Sequence, residues 1–266
     1  MSPAFPALDS YLARQDEDGA VRRARRYFAG VWLVYDVIDT VAGGVEHARD
    51  WMPHPANLGL LATHAVLVVC GIQLVRDRRP FAFALMAVGA RLVETHFYGL
   101  NDFFYYAILM LLMAHGEGGP FERGKKPLWV RHALLLQLGW MYFATASLKL
   151  SSDWLSGGQL FARTGYLVRG FDWPYPARLY QAFQSMHFCA ILACVGVGSE
   201  FLLAFVLLAR RPYWLGVVLV VGIHTFAMVV TNVWFFSVSN IGIVALLLPR
   251  RSRPVEIAGG RSIQLG

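Results

Sequence analysis

Apolar residues run along the chain in eight stretches, at about 28–45, 57–75, 80–100, 102–114, 128–149, 187–209, 213–232 and 234–248. Most approach the ~20 residues that an α-helix needs to cross ~30 Å of hydrocarbon, and two are short. The third and fourth are parted only around Leu100–Asp102, and the seventh and eighth around Thr231–Trp234, which predicts tight hairpins. Lipid offers no partner for an open backbone group, so spans of this kind are helical. The pattern predicts an all-α, polytopic integral membrane bundle of about eight helices. Residues 1–27 form an inner N-terminal segment, 28–249 the transmembrane domain and 250–266 an inner tail. The one long connection, about 150–186, is rich in Gly, Trp, Tyr and Pro and falls on the outer side, where such segments carry interfacial helix.

Composition agrees with this division. Of 266 residues, 56% are hydrophobic and only 15% charged, and the mean hydropathy is +0.46; a soluble surface needs more charge than that. The net charge of +7 would raise the question of nucleic acid in a soluble protein. Here, with the N-terminus inside, eighteen of the 24 Lys and Arg fall on inner segments, five on outer ones and one, Arg91, within a span. That is the positive-inside asymmetry, and it places both termini in the cytoplasm and leaves nucleic acid no part. Arg22, Arg23, Arg25 and Arg26 precede the first apolar run and make it an anchor rather than a cleaved leader. Cys70, Cys189 and Cys194 lie in apolar runs with neither disulfide nor zinc spacing and read as packing residues. No histidine spacing argues for a metal site.

Ionisable residues inside spans carry the chemistry, because each costs about 2.5–3.5 kcal/mol to insert at mid-bilayer. The third span holds Arg91, Glu94 and His96; Arg91 and Glu94 share a helical face and form either a neutralised packing pair or a functional one. His224 is the one polar ring in the seventh span, either a hydrogen-bonded link between helices or a site residue. Asp36 and Asp39 sit in the first span, Ser237 and Asn240 in the last. Glu200 lies toward the inner end of the sixth, where Arg210 and Arg211 predict a structural salt link. Lys149 stands at the outer end of the fifth span, followed by Asp153 and Trp154. A lysine there either snorkels to the interface or serves a site.

The stretch "YFATASLKLSSDWLSGGQL" resembles the lysine-containing segment of vitamin K-dependent γ-glutamyl carboxylase and its microbial relatives, the horizontally transferred transmembrane domain family. "THFYGLND", Glu200 followed by "RRP", and "HTFAMVVTNVWFFSVSNIG" resemble further segments of that family in the same order, so the likeness covers about residues 20–250. The resemblance implies a membrane enzyme, in the bacterial inner membrane, that oxidises and epoxidises a reduced isoprenoid quinone (vitamin K hydroquinone or a menaquinol-like molecule) with O2. Coupled CO2 fixation on a peptide or protein substrate belongs to the same family chemistry, which combines oxidoreductase and lyase steps. It implies Lys149 as the base, with His96 and His224 as catalytic partners, and Arg91, Glu94, Asn101, Tyr142 and Trp154 around the quinone. A lysine, ordinarily with a pKa of ~10.4, becomes a base near neutrality only through desolvation or nearby cations, and the mouth of an apolar bundle supplies the first. The animal carboxylase's large lumenal domain and disulfide cysteines have no counterpart here, so the resemblance implies the quinol half-reaction, alone or with a separate partner.

Two other readings compete. One is a non-catalytic maturation or immunity factor that binds a peptide or lipid through the aromatic outer segment, in which Trp154, Trp173 and Tyr175 outweigh Lys149. The other, a transporter, lacks the inverted repeats and paired broken helices of that class.

Overall fold

In the computed structural model the protein is described over residues 19–49, 55–98, 108–114, 128–162, 181–210, 213–231, 234–248, 256–257 and 261–262. These residues are overwhelmingly helical: α1 Ala20–Arg49, α2 Pro55–Val75, α3 Pro80–Tyr98, α4 108–114, α5 Leu128–Leu148, α6 Ser152–Leu155, α7 Met186–Ala209, α8 Tyr213–Thr231 and α9 Trp234–Leu247. A two-residue antiparallel ladder, Glu256–Ile257 with Arg261–Ser262, follows in the tail. Every predicted apolar stretch falls at least in part on a helix. Among the described residues, Met186–Ala209 is the helix long and apolar enough to cross a membrane, and the apolar parts of α2, α3, α8 and α9 are shorter.

Neighbouring helices follow one another around the bundle in the order α3, α2, α1, α9, α8, α7, α5. α5 also meets α9 and α1, so α1, α9, α8, α7 and α5 form a closed ring, with α2 packed on α1 and α3 on α2. Small residues allow the close crossings: a Cβ on Gly139 would sit 3.1 Å from Leu208 Cγ and 3.3 Å from Ala204 O, so α5 and α7 approach nearly backbone to backbone. Antiparallel packing follows from that register. The main core gathers Phe28, Trp32, Leu134, Leu138, Leu203 and Leu207 with their neighbours from α1, α5 and α7.

The apolar core also encloses polar groups: Arg25, Asp36, Arg91, Arg131, Glu200 and His224 are inside, whereas Leu148 (79% exposed), Trp140 (66%) and Trp214 (64%) face outward. Large apolar side chains thus lie on the outer faces of the helices while several charged groups are partnered within, as an apolar surrounding favours.

One end of the bundle is tied by arginines. Arg22 Nε donates to Asp77 at 2.6 Å, Arg25 pairs with the same carboxylate, and Arg26 Nε donates to Val75 O at 3.1 Å. Arg131 Nε donates to Leu247 O at 2.6 Å. The last two satisfy carbonyls at the C-terminal ends of α2 and α9, where a cation also meets the negative end of the helix dipole. Much of the arginine excess on these segments is therefore built into helix ends.

The connection after α5 begins with the short helix α6, none of whose residues is buried. Its described parts, 151–162 and 181–185, carry short helical turns that pack on α7, with Leu160 and Phe183 buried against Cys189 and Ala193. Residues 163–180, with Trp173 and Tyr175, lie outside the described residues. Cys70 and Cys189 are buried as expected, but Cys194 is exposed, because it lies on the outward face of α7.

Candidate functional site

The fifth apolar stretch is one helix to Leu148, and the turn that ends it carries the lysine. Along the last turns of α5, Thr145 Oγ1 donates back to Met141 O and Tyr142 O at 3.0 Å, and Ser147 Oγ donates to Phe143 O at 2.8 Å. Hydroxyls that bond backward compete with the next turn of helix. Ser151 then takes an extended backbone (φ −73°, ψ 152°) and caps α6 by accepting from Trp154 N at 3.4 Å. A residue cannot both continue α5 and cap α6, so the helix stops at Leu148. Gly157, at φ +81°, completes the turn; a Cβ there would collide with the backbone of Cys189 and Ala190, so a glycine holds the segment against α7. Asp153 secures the same turn by accepting from Gln159 Nε2, and its backbone carbonyl accepts from Ser156 Oγ at 3.1 Å.

Lys149 is therefore not at the outer limit of the bundle. Gly157, eight residues further on, lies beside Cys189 and Ala190 near the start of α7, whereas Lys149 reaches deep into its length. Lys149 Nζ forms an ion pair with Glu200 Oε1. Glu200 is the fifteenth residue of α7, about 21 Å along it at ~1.5 Å per residue. The same arithmetic corrects the expectation for Glu200: Arg210, ten residues on, is ~15 Å away along the helix. Arg210 instead lies 2.9 Å from His132 Nε2. Arg211 lies outside the described residues.

The carboxylate is only half engaged. Glu200 is 9% exposed, and its second oxygen, Oε2, is sealed from solvent with no hydrogen-bond partner among the described residues. The Trp154 ring centroid lies 5.4 Å from Lys149 Nζ, a cation–π contact. One turn earlier on the same face of α7, a Cβ on Gly196 would meet nothing within 4 Å. A buried acceptor, an aromatic face and open space thus lie around one amine.

A second group adjoins it. Tyr142, seven residues before Lys149 and so on the same stripe of α5, bonds through its hydroxyl to His224 Nε2 at 2.6 Å. His224 Nδ1 lies 3.3 Å from Ser237 Oγ on α9. Tyr142, His224 and Ser237 thus form a buried relay across α5, α8 and α9. The ring has a partner at each nitrogen and so can pass a proton through, donating at one side as it accepts at the other.

Arg91 pairs with Asp36 on α1, the two side chains being 2% and 3% exposed, and its guanidinium stacks over Trp32 at 4.8 Å. The Glu94 and His96 side chains, on the last turns of α3, lie outside the described residues, as do Asn101 and the Asp39 side chain.

The structure brings Lys149 to Trp154 and Glu200, Tyr142 to His224, and Arg91 to Asp36. Glu200, set aside by sequence as a structural residue, pairs with Lys149; its sequence signals were an acidic residue in an otherwise apolar helix and its place before "RRP". The chain matches no family model, no curated protein and no solved structure.

Proposed function

We propose that the chain is a polytopic integral membrane enzyme of the bacterial inner membrane, with about eight crossings and both termini inside. In this reading it oxidises a reduced isoprenoid quinone with O2, and Lys149 is the base. The membrane placement is supported by the outward Trp140, Leu148 and Trp214 over an interior of paired charges, an arrangement that suits lipid better than water. The catalytic reading is carried by one observation: Lys149 is held by Glu200 inside the helices, with the Tyr142–His224–Ser237 relay beside it and open space at Gly196.

A flat, apolar ring suits these residues: the Trp154 face and the clearance at Gly196 match its faces, and the Lys149 amine can meet a ring hydroxyl. The reduced ring supplies the electrons; of the two atoms of O2, one is added to the ring and the other leaves as water. The protein's own part is proton handling. Lys149 takes a hydroxyl proton once its ammonium proton has been passed on, and the imidazole and phenol hydroxyl of the relay carry protons away from the region. Low dielectric strengthens each of these interactions and keeps bulk water from competing.

The test is O2 consumption by the protein in liposomes with menaquinol. Lys149→Met alone would leave Glu200 buried and unpaired, so it is compared with the doubly neutral Lys149→Met/Glu200→Gln. Both are expected to fold, with the double variant the more stable, and to lose about 10²–10⁴-fold in rate. Wild-type rates in either variant would end the reading.

The same ion pair also favours a second reading, in which Lys149 and Glu200 only join the end of α5 to α7 in a non-catalytic peptide- or lipid-binding protein. Under that reading the wild type consumes no menaquinol-dependent O2, and the variants differ from it in stability alone.

A further inference from the structure

We infer that the arginines gathered by Asp77, at the start of α1 and in the turn between α2 and α3, bind the phosphodiester headgroup of an anionic lipid. The inference rests on the proposed membrane placement and not on the oxidase reading.

The turn 76–79 reads Arg-Asp-Arg-Arg. Asp77 N donates to Leu74 O at 3.2 Å and Arg78 N to Gln73 O at 3.0 Å, the pair of bonds that closes a helix through a left-handed residue. That residue is Asp77, at φ +62°, and Arg79 follows at φ +41°. Glycine takes such a backbone without penalty, so an aspartate there needs another reason. Its carboxylate supplies one: Arg22 holds one oxygen and Arg25 the other. Arg26 Nε adds a bond to Val75 O at 3.1 Å. The turn is thereby fixed against the first two turns of α1.

Joining the two segments crowds like charge. Arg22, Arg23, Arg26, Arg76, Arg78 and Arg79 are exposed, and the last three have no side-chain hydrogen bond or ion pair among the described residues. Asp77 is already committed on both oxygens. Over 16–26 and 76–79, seven arginines stand against four acidic residues, so an excess remains even with Asp16, Glu17 and Asp18 counted. Like charges held in one place repel, and an anion brought to them relieves the repulsion. Guanidinium groups suit phosphate oxygens in particular, which they meet two at a time. With α1, α2 and α3 as spans, the patch lies at the level of the inner headgroups, where anionic lipid is at hand. Phosphatidylglycerol offers its charge bare, whereas phosphatidylcholine carries a cation of its own beside the phosphate. The patch therefore separates lipids with identical tails by headgroup charge.

Native mass spectrometry of the full chain, taken from detergent micelles holding phosphatidylglycerol and phosphatidylcholine with the same acyl chains, counts the lipids retained. The wild type is expected to retain phosphatidylglycerol in preference. Arg76→Gln/Arg78→Gln/Arg79→Gln removes three exposed charges and spares the Asp77 contacts. It is expected to weaken phosphatidylglycerol binding about ten- to a hundredfold, at about fivefold for each arginine near a headgroup. Arg250→Gln/Arg251→Gln/Arg253→Gln, which takes the same charge from the tail, is expected to leave the preference intact. An excess of inorganic phosphate, the same chemistry without a bilayer anchor, is expected to displace little. Equal retention of the two lipids, an equal loss in the tail variant, or displacement by inorganic phosphate would each overturn the inference. A wild type without headgroup preference, whose tryptophans are nonetheless quenched by brominated acyl chains, would lose this site and keep its membrane placement.

Discussion

Arg91 and Asp36 are almost wholly enclosed, so removing one partner leaves a charge with no water to solvate it. Arg91→Ala is expected to lower stability by about 3–5 kcal/mol, and the apolar double variant Arg91→Met/Asp36→Leu to recover most of it. Thermal unfolding in detergent separates the two outcomes. At His224 the cost is in hydrogen bonds: His224→Phe removes one partner from the Tyr142 hydroxyl and one from Ser237, at about 1–3 kcal/mol per buried group. Tyr142→Phe is expected to cost less, because His224 keeps its contact with Ser237. Several of these residues were legible in sequence as polar groups in apolar runs. Their partners were not: Arg91 finds Asp36, 55 positions away, and Lys149 finds Glu200, 51 positions away. A pairing across helices depends on register and rotation, which a local pattern does not contain.

The break after Leu148 is a property of an element. It depends on backward-bonding hydroxyls, a serine cap and Gly157 at positive φ. Gly157→Ala forces a side chain into the backbone of Cys189 and Ala190 in a conformation that L-residues disfavour by about 1–2 kcal/mol. It is expected to lift the α6 segment from α7, read as faster hydrogen exchange at 151–162 with little change in α1 and α2. The glycine and the Ser-Ser-Asp run were visible in sequence and marked a turn. That the turn lies alongside the length of α7, rather than beyond the end of the bundle, was not visible, since a helix and a broken helix of equal apolarity look alike by hydropathy.

Among the described residues, large apolar side chains face outward along the helices and several charges are partnered within or at helix ends. If lipid covers that outside, the exposed Trp140 and Trp214 are in contact with acyl chains. Reconstitution in brominated lipids is therefore expected to quench most of their fluorescence, and Trp140→Phe/Trp214→Phe to remove that quenching selectively. Undiminished emission of the wild type in brominated bilayers would count against the membrane placement.

Apolar run length and spacing determined that the chain is helical and approximately where each described helix lies, because hydrophobicity and backbone satisfaction act over neighbouring residues. Sequence likewise marked Lys149, His224, Tyr142 and Trp154 as residues of interest. Only the tertiary structure decided that Lys149 is tied to Glu200, that Tyr142, His224 and Ser237 form one relay, and that Arg91 belongs with Asp36. Those outcomes follow from how antiparallel helices are aligned and rotated against one another. That alignment is set by the summed packing of many small and large side chains, Gly139 against Leu208 and Gly157 against Cys189 among them, and not by any single stretch of the chain.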